Sequence, residues 1–144
     1  MKKLSLLLLT LPAFGLPPAI NAAPTEVGCD LNVTVANVRE PRGFIFAALY
    51  TEASWNNGAP MKVARVAASG ATADLCLSAE QGRYAIRLFH DLDGDGKLAS
   101  SMVGLPQEPY GFSNDAAIQF GPPAFEAAAF QKATAPLALT ITLR

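Results

Sequence analysis

Charge, cysteine and histidine are all scarce in this chain of 144 residues. Lys and Arg number 11 against 12 Asp and Glu, and the formal net charge is −1, so no basic field is available to hold a nucleic acid. One His and two Cys exclude a multi-bridge disulfide scaffold, and exclude a zinc site of four Cys/His ligands unless it consumed nearly all of both. No CxxC pair offers redox chemistry and no GxSxG elbow offers a serine nucleophile. Helical periodicity is also missing from every window of about 11 residues, and there is no internal repeat or low-complexity tract. Apolar residues, by contrast, make up 51% of the chain. That excludes disorder and leaves one small globular domain.

The N-terminus accounts for part of the apolar excess. Met1, Lys2 and Lys3 form a positive n-region, Leu4 to Leu11 an apolar run, and Pro12, Pro17 and Pro18 break any helix that follows. This pattern predicts a secretory signal peptide over 1–22, cut between the small residues Ala22 and Ala23. The run falls well short of the roughly 20 residues that span a bilayer, so no transmembrane segment is expected after cleavage. The domain over 23–144 then carries 9 basic and 12 acidic residues, and the expected location is periplasmic or secreted. Export makes Cys29 and Cys76 a candidate disulfide. Two buried thiols are the alternative. A bridge would close a loop of 47 residue steps, for which chain entropy gives on the order of 4 kcal/mol as an upper figure.

Period-2 alternation recurs through this domain. Cys29, Leu31, Val33 and Val35 face one way and Asp30, Asn32 and Thr34 the other, predicting a strand with one wet face. Phe44 to Tyr50 and Tyr84 to Phe89 are apolar on both sides and read as central strands. Weaker strands are expected over Lys62 to Ala68 and Ala71 to Leu77, joined by a tight hairpin at Ser69-Gly70. Leu137, Leu139, Ile141 and Leu143 make a closing strand. The resulting expectation is an all-β protein, a single antiparallel Greek-key β-sandwich, with at most one short helix near Ala124 to Phe130. Asp91 to Pro136 lacks strand signals but is rich in aromatic and aliphatic residues, so it is expected to fold over one sheet face and cover the two-sided strands.

Chemistry concentrates at the start of that segment. Asp91, Asp93 and Asp95 occupy positions 1, 3 and 5 of a DxDxDG loop, with Gly96 at the sharp turn and the Lys97 carbonyl as a fourth oxygen. Converging oxygens suit a hard cation such as Ca²⁺. However, Ala99 and Met102 stand where further ligands belong, so Glu108, Asn114 or Asp115 would have to complete the shell. The plainer reading is a turn whose Asp side chains bond local backbone. His90 shares the parity of Tyr84, Ile86 and Leu88, which makes it a structural imidazole sooner than a base for Ser113. Trp55, Tyr50 and Tyr110 offer either a sugar-stacking platform or edge packing.

Several of these residues belong to one longer pattern. Gly82, Tyr84 and Ala85, then His90-Asp91, then Gly94 to Leu98, then Gly104-Leu105-Pro106-Gln107-Glu108-Pro109-Tyr110-Gly111-Phe112-Ser113-Asn114, then Gly121-Pro122-Pro123-Ala124-Phe125 and Phe130 together resemble the DUF2141 family of exported bacterial proteins. The stretch from Leu77 to Tyr84 is also similar to the strand entry of transthyretin-like and carboxypeptidase-regulatory-like sandwiches. The resemblance implies a β-sandwich and lends no activity. Ala99 and Asp115 depart from the family's acidic residue and Asn at those places.

The expectation is therefore a non-enzymatic binding or interaction module of the cell envelope, with no catalytic residue assigned and no certain cofactor. Its partner would be a protein, peptide or glycan, and its functional surface would include His90, Glu108, Tyr110, Phe112, Ser113 and Asn114. One alternative is a calcium-stabilised carbohydrate- or peptide-binding site. Another is a hydrolase using His90 with Asp91 or Glu108.

Overall fold

Among the described residues, eight strands form two sheets that share one core. A computed structural model describes residues 29–118 and 121–144, so the predicted signal peptide over 1–22 lies outside the described residues. The smaller sheet has the order β4 (Ala73–Leu77), β1 (Leu31–Ala36), β8 (Leu137–Thr142). The larger has β3 (Lys62–Ala67), β2 (Phe44–Tyr50), β5 (Gly82–Asp91), β6 (Tyr110–Phe112), with β7 (Phe130–Lys132) also paired to β5. Among the described residues there are two one-turn helices, α1 (Glu52–Trp55) and α2 (Phe125–Ala128), and a 3-10 turn (Ser113–Asp115); α1, started by a Thr51–Ser54 capping box, exceeds the single short helix expected.

Alternation determines which residues meet. Leu31, Val33 and Val35 of β1 and Leu75 and Leu77 of β4 pack against Ile45, Ala47 and Leu49 of β2 and Tyr84, Ile86 and Leu88 of β5. Burial of each such aliphatic side chain contributes about 1.5–3 kcal/mol, which favours two facing sheets over either sheet alone. The six predicted strands are all present within a few residues of their expected ends.

Two pairings differ from the expectation. Antiparallel order fails between β1 and β8, which run parallel in the register Leu31↔Leu137 to Ala36↔Thr142. A parallel pair needs a long crossover, and everything between the two strands serves as one. The hairpin expected at Ser69-Gly70 is instead a crossing from one sheet to the other, because β3 pairs with β2 and β4 with β1. Its backbone is anchored to the β1–β2 connection, with Val38 N–H bonded to Ala71 O and Ala68 N–H to Gly43 O.

Asp91 to Pro136 does cover β5, and it adds strands of its own. Tyr110 and Phe112 pair with Phe89 and Arg87, and Phe130 pairs with Tyr84. Three-residue strands give too short an alternation to be read from sequence. On the outer side of the larger sheet, Trp55, Ala85, Phe112, Phe125 and Ala128 make a second, smaller core. Gly111 lets this cover close. A Cβ there would lie 2.9 Å from Ile141 Cγ2 and 3.0 Å from the Thr142 carbonyl, so any side chain would push β6 off the end of β8.

Cys29 and Cys76 form a disulfide with Cα atoms 5.4 Å apart, tying the entry of β1 to β4. Replacing both by serine should lower the free energy of unfolding by about 2–4 kcal/mol in urea denaturation. An unchanged midpoint would show that the bridge contributes nothing to the fold.

Candidate functional site

The Asp91 loop is closed by its own backbone. Asp91 lies at the end of β5, 1% exposed, and its two carboxylate oxygens accept N–H bonds from Gly94 at 2.7 Å and Gly96 at 2.9 Å. Asp93 accepts from Asp95 N–H and Asp95 from Lys97 N–H. Glu108, also buried, reaches across to accept Leu92 N–H at 2.7 Å and Ala99 N–H at 2.9 Å. Two buried carboxylates thus hold the loop from both ends. One oxygen from each of Asp91, Asp93 and Asp95 lies within 4.8 Å of the others, so the predicted convergence is real. The donor set nevertheless fits Ca²⁺ poorly, because Asp91 and Glu108 spend both oxygens on N–H groups and positions 9 and 12 are Ala99 and Met102. Asn114 and Asp115 do not complete the shell. Asn114 donates to the carbonyls of Ala127 and Ala129, and Asp115 accepts Thr142 N–H at 2.7 Å.

His90, Ser113 and Trp55 are likewise spent on the fold. His90 is 1% exposed, with its Nε2 2.7 Å from the Arg42 carbonyl and its Nδ1 buried without a partner. Its carbonyl partner makes Nε2 the protonated nitrogen. Ser113 is fully buried; its hydroxyl accepts Ile86 N–H at 2.9 Å and donates to the Ala128 carbonyl, extending the β5 ladder where β6 ends. Trp55 is no sugar platform. It is 1% exposed, donates from Nε1 to Pro123 O at 2.8 Å, and meets Tyr50, Phe112 and Phe125 edge-on.

What the structure leaves open is a cleft beside that second core. On the outer face of the larger sheet, register places Phe46 beside Phe89 and Phe89 beside Tyr110, and Ala48 between Val63 and Arg87. The rings of Phe46 and Phe89 stack with centroids 5.3 Å apart. The loop over 98–106 forms one wall, and the enclosed space is about 780 Å³, within the roughly 300–1,000 Å³ of small-molecule sites. Val63, Leu98, Val103 and Leu105 line it while remaining exposed. Tyr110 and Phe112 were expected on the functional surface and do line it; Phe46, Phe89 and Arg87 were not. Arg87 was the available signal, the lone cation in the otherwise apolar stretch Tyr84 to Phe89.

Arg87 lies over two aromatic rings, its Cζ 4.1 Å from the Trp55 centroid and 4.8 Å from that of Tyr50. One Nη donates to the Trp55 carbonyl, while Nε is buried with no partner. Burial lowers the guanidinium from its ordinary value, opposed only by Tyr50. The group remains a cation at any working pH.

A family model described as "Uncharacterized protein conserved in bacteria (DUF2141)" matches residues 33–139, a span that contains the Asp91 loop, the cleft and the six complete strands β2 to β7. No curated protein and no solved structure matches the chain.

The Asp91 carboxyl carries a pH signature. Burial alone would raise it, but the N–H bonds from Gly96 and Gly94, with Asp93 and Asp95 adding to them, hold it below the ordinary carboxylate range. Its contribution to stability is therefore present above about pH 4, the unfolded value, and is lost as pH falls through the lower folded value. Asp91→Asn should lower the melting temperature at pH 7 and flatten its decline below pH 4 in thermal unfolding. A variant that kept the full acid slope would contradict this role.

Proposed function

Since the chain belongs to the DUF2141 family of proteins conserved in bacteria, we propose that it works as an exported, non-enzymatic binding module of the cell envelope. Its ligand is a small apolar molecule held in the outer-face cleft. The observation that carries this reading is the cleft itself, floored by stacked Phe46 and Phe89 and edged by aliphatic side chains the fold leaves in water. Exposed apolar surface on that scale around a concavity costs free energy unless something covers it. Export is supported by the basic and apolar N-terminal pattern and by the Cys29–Cys76 bridge, which suits an oxidising compartment. Among the described residues no helix is long and apolar enough to cross a membrane. The non-enzymatic reading is supported by the sealed His90 ring and by the Ser113 hydroxyl, whose bonds both go to backbone.

The reporter dye 1-N-phenylnaphthylamine, which fluoresces in apolar surroundings, tests the cleft. One equivalent should bind per chain, and Ala48→Phe, which fills the floor between Val63 and Arg87, should weaken binding at least ~10-fold while leaving the melting temperature within a few degrees. Undiminished binding by a folded Ala48→Phe protein would place the dye elsewhere and sink the proposal.

A further inference from the structure

Arg87 is the only charged residue among the described residues that line the cleft. Its strand neighbours are apolar on both sides, and it forms no ion pair: the described salt bridges join Arg42 to Glu40, Arg83 to Glu126 and Lys132 to Asp30. The contrast with Lys132 is informative. That lysine is 1% exposed, yet its Nζ donates to the carbonyls of Ala133 and Ala135 and lies 3.6 Å from the Asp30 carboxylate. Arg87 has one carbonyl partner, one buried unpartnered Nε, and two ring faces. A partly desolvated cation with no counter-ion is costly in an apolar setting. Tyr50 and Trp55 hold it by cation–π contact, which places the guanidinium without neutralising it.

On the reading that this cleft is the binding site, we infer that its ligand is a single-chain amphiphile with a carboxylate head, the head paired with Arg87 and the chain lying over Phe46, Phe89 and Tyr110. A guanidinium pairs with carboxylates through charge-assisted hydrogen bonds, and a largely apolar site whose one charge is a cation matches a largely apolar molecule whose one charge is an anion. A monoanion balances the single charge. A phosphate dianion would leave a negative charge uncompensated in the cleft, since no second cation lines it among the described residues. Arg65, on the same face, is exposed and outside the cleft lining, over the rings of Phe44 and Phe46 at 4.5 and 5.7 Å.

Displacement of bound 1-N-phenylnaphthylamine separates this inference from the reading beneath it. Dodecanoate, dodecyl phosphate and dodecyltrimethylammonium share a chain length and differ at the head. Dodecanoate should displace the dye at a concentration at least ~10-fold below that of the trimethylammonium compound, the size of one charge-assisted contact, and below that of the phosphate. Arg87→Gln should abolish the preference, and Arg87→Lys should keep part of it. If the dye binds but the three heads compete equally, the carboxylate inference fails and the apolar cleft stands. Tighter displacement by the phosphate would overturn the carboxylate assignment. If the dye does not bind at all, the cleft reading fails and this inference fails with it. Should Arg87→Gln not fold, the head-group comparison on the unaltered protein decides alone.

Discussion

A strand buried on both faces imposes a constraint that a two-sheet protein cannot meet with its sheets alone. β5 presents Tyr84, Ile86 and Leu88 to the inter-sheet core and Ala85, Arg87 and Phe89 to the other side, so something other than a sheet must cover that outer face. Over Ala85 the cover is complete: α1 delivers Trp55, α2 delivers Phe125 and Ala128, and Phe112 closes the gap. Over Phe89 it is not, and the cleft is the uncovered half. The long segment after Asp91 is therefore both a structural necessity and the wall of the site.

The polar residues of that segment serve the same end. Asp91 and Glu108 clamp the loop between them, Ser113 prolongs the β5 ladder, and Asn114 and Asp115 stitch α2 and β8 to the 3-10 turn. Each is a side chain satisfying backbone groups that an irregular segment would otherwise leave unpaired, and that need follows from a long covering loop packed against a sheet. Residues that read as a metal loop or a catalytic pair in one dimension become anchors in three. Their pattern of carboxylates and hydroxyls is the same for both purposes, which is why sequence spacing could not separate them.

Strands β1 to β5 and β8 were legible because period-2 alternation and turn residues mark them locally, and the cover over the outer face of the larger sheet, partial over β2 and β5, was legible from Phe44 to Tyr50 and Tyr84 to Phe89 being apolar on both sides apart from Arg87. The disulfide followed from the cysteine count and the export expected from the N-terminal pattern. The parallel β1–β8 pair and the crossing at Ser69-Gly70 were not legible, because sheet partnership depends on long-range register that no local signal encodes. The cleft was hidden for a related reason. Its floor is drawn from Phe46, Phe89 and Tyr110, which are separated in sequence and brought together only by pairing across three strands.

The account rests on the claim that an acyl chain lies on that floor with its head at Arg87. Intermolecular nuclear Overhauser effects between ¹³C-labelled dodecanoate and the protein test it directly. The account predicts contacts from the chain to the ring protons of Phe46, Phe89 and Tyr110, with the carbons next to the carboxylate nearest Arg87. Contacts confined to other surfaces, or a chain running with its methyl end at Arg87, would contradict it.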